Sequence, residues 1–510
     1  MGHDPVARDR TFRLQHWGRS LAAPRPASRR SFAVSAGVIG VCAALAWLCA
    51  DGVVPQNTAG LVLMLCAIVA VIAVSGVESA GLLGSWRWVV ISPLAVAALT
   101  WLTTFVLRPL ELYFDPVDTI GALLGLGFHL SDLARAAAIA ALGCATWSLG
   151  YLVGLAAARH GRRRPQSQSR LAFPMSGAAA SVTIGLGVLL AGALFVRQGG
   201  PSAIIHAPGS LHSSQGSSAY GQLGIWLLQG TALYALAALL QNGSRTARRV
   251  FLVSAPLGFL SPVAIASRGL AVFLLLGAVV IYLRFRTPRW RTVAVATAAA
   301  VVLGVGLEFS AVARTYAQST SAIGAIRLAA HTPVGTLQTA DLSTFDDLLA
   351  MQQLVPDSIG WLDGRSLAQI PAALVPRAAW SGKPQSFDVQ VTNYLSPGAT
   401  AGSPIAMQGE FYWNFGLVGV ALGALILGAL FGASIKLLLS GGQLALLLYA
   451  LVFPSTFALL TRALGTMTAN TFIAVVGIIV VYLAQTIALG THLSRVSFTR
   501  SRPPHAPPSR

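Results

Sequence analysis

Apolar runs of some twenty residues, separated by short polar or basic stretches, recur along this chain from end to end. Each is long enough to cross a ~30 Å hydrocarbon core as a helix rising ~1.5 Å per residue. Twelve candidate spans follow: Phe32–Ala50, Ala59–Gly76, Trp88–Leu107, Leu133–Ala157, Phe173–Phe195, Leu223–Leu240, Val250–Ala266, Leu270–Tyr282, Val293–Ala313, Ile405–Leu430, Leu444–Thr461 and Thr466–Leu489. Val250–Ala266 and Leu270–Tyr282 are the short ones and read equally well as a broken pair of helices. The expected fold class is all-α, a polytopic transmembrane helical bundle with one large outer loop. The expected division is a basic tail (1–31), spans one to nine (32–313), a large loop (314–404), spans ten to twelve (405–489) and a second basic tail (490–510). No repeat of fixed period is visible.

Hydrophobic residues make up 55% of the chain and charged residues 10%, against about a quarter charged in soluble domains. Charge then sets the orientation. With the N-terminus in the cytoplasm, 25 of the 35 Lys and Arg fall on the inner side, whereas only Asp4, Asp9 and Glu78 of the 16 acids do. That bias predicts a multi-pass protein of the cell inner (cytoplasmic) membrane, with both termini inside and residues 314–404 outside. The net charge of +19 therefore reflects topology. Its partners are anionic lipids of the bilayer and not nucleic acid. Cys42, Cys49, Cys66 and Cys144 all sit in candidate spans, with neither a disulfide framework nor a metal-binding spacing. The first apolar segment lacks a small-x-small cleavage site and reads as an uncleaved anchor.

The large loop has structure of its own. In STFDDLLAMQQLVP, Ser343 or Thr344 is a helix N-cap, Asp346 and Asp347 fill the first turn, and Phe345, Leu348, Leu349 and Gln352 form one stripe. Leu367, Ile370 and Leu374 lie at helical spacing before Pro376. Two short amphipathic helices lying at the outer membrane interface fit this pattern.

Candidate chemistry gathers at the same level. Arg268 sits between two short apolar runs, where a membrane-depth cation costs ~2.5–3.5 kcal/mol and so pairs or faces a cavity. It reads as an anion-binding Arg, with snorkelling to the headgroups as the plainer alternative. Arg377, Trp380 and Lys383 cluster in PRAAWSGKP (Pro376–Pro384): a planar donor fork for phosphate, a face for stacking a sugar, and a compact charge. Arg314 opens the loop and Arg462 lies at the outer turn between the last two spans. Five cations at one level suit a diphosphate carried on a lipid. Glu410, followed by Phe411, Tyr412, Trp413 and Asn414, is either a general base or a structural partner for Arg377 or Lys383. His331, Asp341 and Asp388 are other candidate bases. The expected catalytic set is Arg268, Arg377, Glu410 and Arg462; the expected substrate-binding set is Arg314, Trp380, Lys383, Tyr412 and Asn414. Glu111, Asp115 and Asp118 in LELYFDPVD seed an alternative, a polyprenyl-phosphate-sugar transferase. No Walker loop, GxSxG, HExxH or CxxC occurs, so no cofactor and no metal is expected.

Three stretches carry a family resemblance: SRG at Ser267–Gly269 opening a span, PRAAWSGKP closing the loop, and GEFYWNFGLVG (Gly409–Gly419) leading into the next helix. In these the chain resembles the O-antigen polymerases, or oligosaccharide repeat unit polymerases. The resemblance implies a metal-independent glycosyltransferase joining undecaprenyl-diphosphate-linked oligosaccharide repeats on the outer face of the cytoplasmic membrane. It implies two lipid-linked glycan substrates, a flippase and a chain-length regulator as partners, and it extends the family's dependence on outer-loop arginines to Arg268, Arg377 and Arg462. The related O-antigen ligases share the architecture and use an outer-loop Arg and His; here His331 is far from PRAAWSGKP in sequence. A transporter of lipid-linked oligosaccharide is the rival of another class, and it would place polar residues along mid-membrane helices.

Overall fold

The computed structural model describes residues 29–114, 129–160, 173–197, 200, 219–264, 268–286, 344–375, 379–395 and 405–500. Every described element is a helix: α1 (Arg29–Ala50), α2 (Thr58–Leu83), α3 (Pro93–Phe114), α4 (Leu130–His160), α5 (Gly177–Arg197), α6 (Ala219–Asn242), α7 (Arg245–Ala264), α8 (Arg268–Phe285), α9 (Thr344–Leu354), α10 (Phe387–Leu395), α11 (Met407–Ser440), α12 (Gln443–Thr461) and α13 (Leu464–Arg500). Among the described residues eight helices are long and apolar enough to cross a membrane, in α1 to α6, α11 and α13, and α8 and α12 hold shorter apolar stretches. The chain is an all-α, multi-pass membrane protein. The expected span Val293–Ala313 lies outside the described residues.

α4 is the axis of the bundle, with Leu133 to Leu142 and Cys144 to Leu155 supplying a near-continuous run of buried residues. Its partner is α11. Gly150 and Gly154 of α4 lie against the backbone of Leu425 and Ala429, while Gly428 and Gly432 of α11 lie against the carbonyls of Trp147 and Tyr151. A side chain at any of the four would collide with partner backbone. Two small-xxx-small patterns thus let the helices approach as closely as lipid-embedded helices do. Around this seam Trp147 meets Trp101 edge to face, with centroids 5.3 Å apart, and stacks on Tyr151 at 5.4 Å.

Two expected spans are re-cut by local chemistry. The run Trp88–Leu107 is interrupted at Ser92, and α3 restarts at Pro93 in the first helical position, where a missing N–H costs nothing. It then passes through a π-helical turn at Leu102–Leu107 to Arg108. The run Ile405–Leu430 is broken at Phe415 (φ −146°, ψ 17°) and Gly416 (φ 62°, ψ −150°). The Gly416 conformation is open essentially only to glycine. The chain turns back so sharply that the Phe411 ring lies over Gly423 and the Phe411 carbonyl over Gly419, residues that a straight helix would hold ~18 Å and ~12 Å from Phe411 along its axis. In α7, Pro262 cannot donate to the Gly258 carbonyl; the buried Gln229 amide takes that carbonyl at 3.0 Å and the Leu270 carbonyl at 2.7 Å, tying α6, α7 and α8 together.

The two ends of the bundle differ. At one, Ser31 and Ser35 of α1 donate to Glu78, and Gln241 and Gln485 accept the backbone N–H groups of Phe173 and Ser176. At the other sits the large loop. α9 forms where expected but is not a surface helix: Thr344 to Gln352 are all buried. It inserts because its polar side chains find partners there, Asp346 with Arg108 and Gln352 with the Asp132 carbonyl. The second expected helix is split into turns at Arg365–Ala368 and Ile370–Ala373, with Pro371 in the first turn of the latter. α10 was not foreseen by the apolar pattern.

Candidate functional site

The loop end of the bundle collects buried polar groups from five elements. Arg108, at the end of α3 and 5% exposed, grips Asp346 of α9 with two parallel hydrogen bonds, Nε to Oδ1 at 3.0 Å and Nη2 to Oδ2 at 2.7 Å. Its Nη1 reaches Glu111 at 2.8 Å. This bidentate form is the strongest arrangement an ion pair takes. The next residue, Asp347, is buried with its Oδ2 unpartnered. Burial pushes its carboxyl well above the usual carboxylate range, and Asp346 and Asp388 add to that push.

A second group surrounds the start of α13. Glu410 is fully buried; its Oε1 accepts from the Ser366 hydroxyl at 2.8 Å and its Oε2 from the Leu464 N–H at 2.7 Å. Asp388 of α10 accepts from the Ala463 N–H at 3.0 Å and from the Thr466 hydroxyl. Two carboxylates from different elements therefore accept two backbone amides at the positive end of α13. The Asn414 amide donates to the Ser366 hydroxyl and to the Glu410 carbonyl, both at 2.7 Å.

A third group closes the loop over the break in α11. The Trp413 carbonyl accepts from the Leu362 N–H, and its indole donates to the Gly360 carbonyl at 3.0 Å. The Trp361 ring covers Gly416, and in return the Phe415 ring covers Gly364, itself at φ 83°. Tyr412 meets Trp361 edge to face at 5.9 Å. Residues 360–366 are thereby locked to the first turns of α11, and Ser366 is delivered to Glu410.

The structure brings together Glu410, Tyr412 and Asn414 on the first two turns of α11, with Arg462 in an extended link directly before the capped amides of α13. It does not pair Glu410 with Lys383: the Glu410 oxygens hold Ser366 and Leu464, and the Lys383 ammonium donates to the carbonyls of Ala373 and Val375. Trp380 is 43% exposed, free to present a face. Arg268 begins α8, whose far end reaches the C-terminus of α6 through Arg286, so helix direction puts the Arg268 backbone at the loop end. Arg314, Arg377, His331, Asp341, Asp115 and Asp118 lie outside the described residues. Among the described residues, no three His, Cys, Asp or Glu side chains are grouped as a metal ion would require. Sequence reasoning missed Arg108, Asp347, Ser366 and Arg135. For the two arginines a signal existed, since each lies at the edge of an apolar run where insertion is costly. No protein-family model, no curated protein and no solved structure matches this chain.

Proposed function

We propose that this protein is a membrane glycosyltransferase of the polysaccharide-polymerase type, joining oligosaccharide repeats carried on undecaprenyl diphosphate. The observation that carries the reading is the seating of the large loop. Its helix α9 and Ser366 are built into one end of the bundle beside a buried Glu410, cations and exposed aromatic faces. In the reaction the anomeric C–O bond to the lipid diphosphate breaks and a hydroxyl of the second repeat attacks that carbon. The proton passes to a carboxylate or His, and the leaving diphosphate keeps the electron pair. Fixed cations aimed at that diphosphate lower the barrier, and a positioned base takes the proton. Arg268, Arg377 and Arg462 are assigned the first role. Glu410, or one of His331, Asp341 and Asp388, is assigned the second. Trp380, Lys383, Arg314, Tyr412 and Asn414 are assigned to holding substrate. Lipid-linked donors outside the cell make nucleotide sugars unnecessary.

The reading includes twelve spans. The eight long helices, the shorter α8 and α12, the two-proline α7 and the apolar run 293–313 supply that number. It also includes the cytoplasmic membrane as location, both termini inside and the loop outside. The transporter alternative is disfavoured because the charged groups of the site gather at one end and not along a mid-membrane path.

Purified protein supplied with a lipid-linked repeat tests the reading. Polymer should form in excess EDTA. Glu410→Gln, which keeps the shape and can still accept from Leu464, should abolish polymer while leaving the fold intact if Glu410 takes the proton. Turnover lost to EDTA and restored by magnesium or manganese would replace this reading with a metal-dependent transferase using Glu111, Asp115 or Asp118.

A further inference from the structure

Arg135 lies within the second turn of α4, inside a membrane-spanning helix, and is half-buried at the loop end. Its Nε donates to the Ala50 carbonyl at the end of α1, at 3.1 Å. Its Nη2 lies 3.5 Å from the Tyr412 hydroxyl, the outer limit of a hydrogen bond. Both partners are neutral oxygens. Asp132, one turn earlier, accepts instead from the His129 N–H and the Gln353 amide. Asp51 follows Ala50 in an exposed turn, and Asp357, close enough to act electrostatically on the Tyr412 hydroxyl, is exposed too. Among the described residues no carboxylate forms an ion pair with Arg135, whereas Arg108, at the same end, holds two.

A guanidinium at this depth is costly and is normally paired, or else faces a ligand path. Among the described residues no acceptor reaches its Nη1, and its second contact is to an aromatic hydroxyl that can itself donate. Tyr412 packs against Trp361, 38% exposed. Leu48, two residues before Ala50, and Phe415, three residues after Tyr412, are exposed apolar side chains. An ionic head with an apolar tail fits such a surface: the fork takes the anion, the phenol donates to a second oxygen, and the tail stays in the hydrocarbon.

We infer that Arg135, with the Tyr412 hydroxyl, is a binding site for the diphosphate group of a substrate. This rests on the reading of the protein as a transferase using prenyl-diphosphate donors, and it names a residue that reading did not use. Arg135 binds and positions the anion from the membrane side, while the loop cations approach from the aqueous side. The bond to Ala50 sets the plane of the guanidinium so that its outer edge is turned to Tyr412.

The test measures binding of farnesyl diphosphate, farnesol and inorganic pyrophosphate to purified protein in detergent by calorimetry. Wild type should bind farnesyl diphosphate more tightly than farnesol, with an affinity that falls as salt rises; comparable binding of inorganic pyrophosphate would show that the head alone is read. Arg135→Gln should weaken farnesyl diphosphate at least tenfold and leave farnesol unchanged. Arg135→Lys, which keeps the charge and a donor for Ala50 but loses the fork, should weaken it several-fold. Arg365→Gln, removing an exposed loop cation, should have little effect. Unchanged diphosphate binding in Arg135→Gln, or an equal loss in Arg365→Gln, would overturn the assignment and leave the transferase reading standing. Failure of wild type to bind farnesyl diphosphate at all would overturn both.

Discussion

Arg108 and Asp346 are 238 residues apart in the chain yet share two hydrogen bonds in a buried setting. Removing one member of such a pair strands the other. Arg108→Ala should therefore cost about 3–5 kcal/mol, read as loss of unfolding free energy in detergent. Arg108→Met combined with Asp346→Leu should recover most of it, because no buried charge is then left unpaired and Glu111, the other partner of Arg108, is partly exposed to water; a double variant as unstable as the single one would refute that. Asp347 makes a pH prediction. Its carboxyl is raised in the folded state, so the unfolded chain releases the proton first, and folding is opposed as pH rises above the unfolded value of ~3.9. Asp347→Asn should be more stable than wild type near neutral pH and should lose the part of the decline that begins near that value. An unchanged slope would mean that Asp347 does not titrate this way. Of this, only the position of Arg108 at the edge of an apolar run was legible in the sequence. Asp346 and Asp347 look like ordinary first-turn acids of a helix, and their partners lie far away along the chain.

At the scale of elements, what was legible was what hydrocarbon demands: long apolar runs. The described helices fall on eleven of the twelve expected runs. The separation of α7 from α8 was legible in the shortness of the two runs, whereas the restart at Pro93 was not read although a proline marked it. The turn at Phe415–Gly416 is hidden inside an apolar stretch, because the residues that hold it open, Trp361 and Leu362, belong to the loop. The insertion of α9 was hidden for a similar reason. An amphipathic helix with two acids reads as a surface helix until a buried Arg is found opposite it. The seam between α4 and α11 was present as GYLVG (150–154) and GALFG (428–432), and glycine at four-residue spacing was its signal. It predicts that Gly428→Leu abolishes folded protein, since no rotamer avoids the Trp147 backbone. Gly185→Leu, on the same kind of apolar helix but with nothing near its Cβ position, should be tolerated. Size-exclusion profiles of the two variants would decide it, and a monodisperse Gly428→Leu protein would remove the seam from the account.

At the scale of the whole molecule, the charge asymmetry makes the orientation testable. Cysteine at Ser319 or Ser396 should be labelled by an impermeant thiol reagent in intact cells, and cysteine at Ser167 should not; the reverse pattern would place the site on the wrong side for lipid-linked substrates. The start of α1 and the loop helices already sit at opposite ends of the bundle, as that orientation requires. The glycine seam has a consequence for how the protein is made. α4 is synthesised before residue 161, whereas the face it fits ends at Gly432, some 270 residues later. Throughout that interval the axis of the bundle stands in the bilayer with its narrow groove open, since the glycines that fit it belong to α11. Assembly is therefore completed from the C-terminal side: a ribosome stalled anywhere before α11 leaves a nascent chain with most of its spans inserted and its centre unfilled.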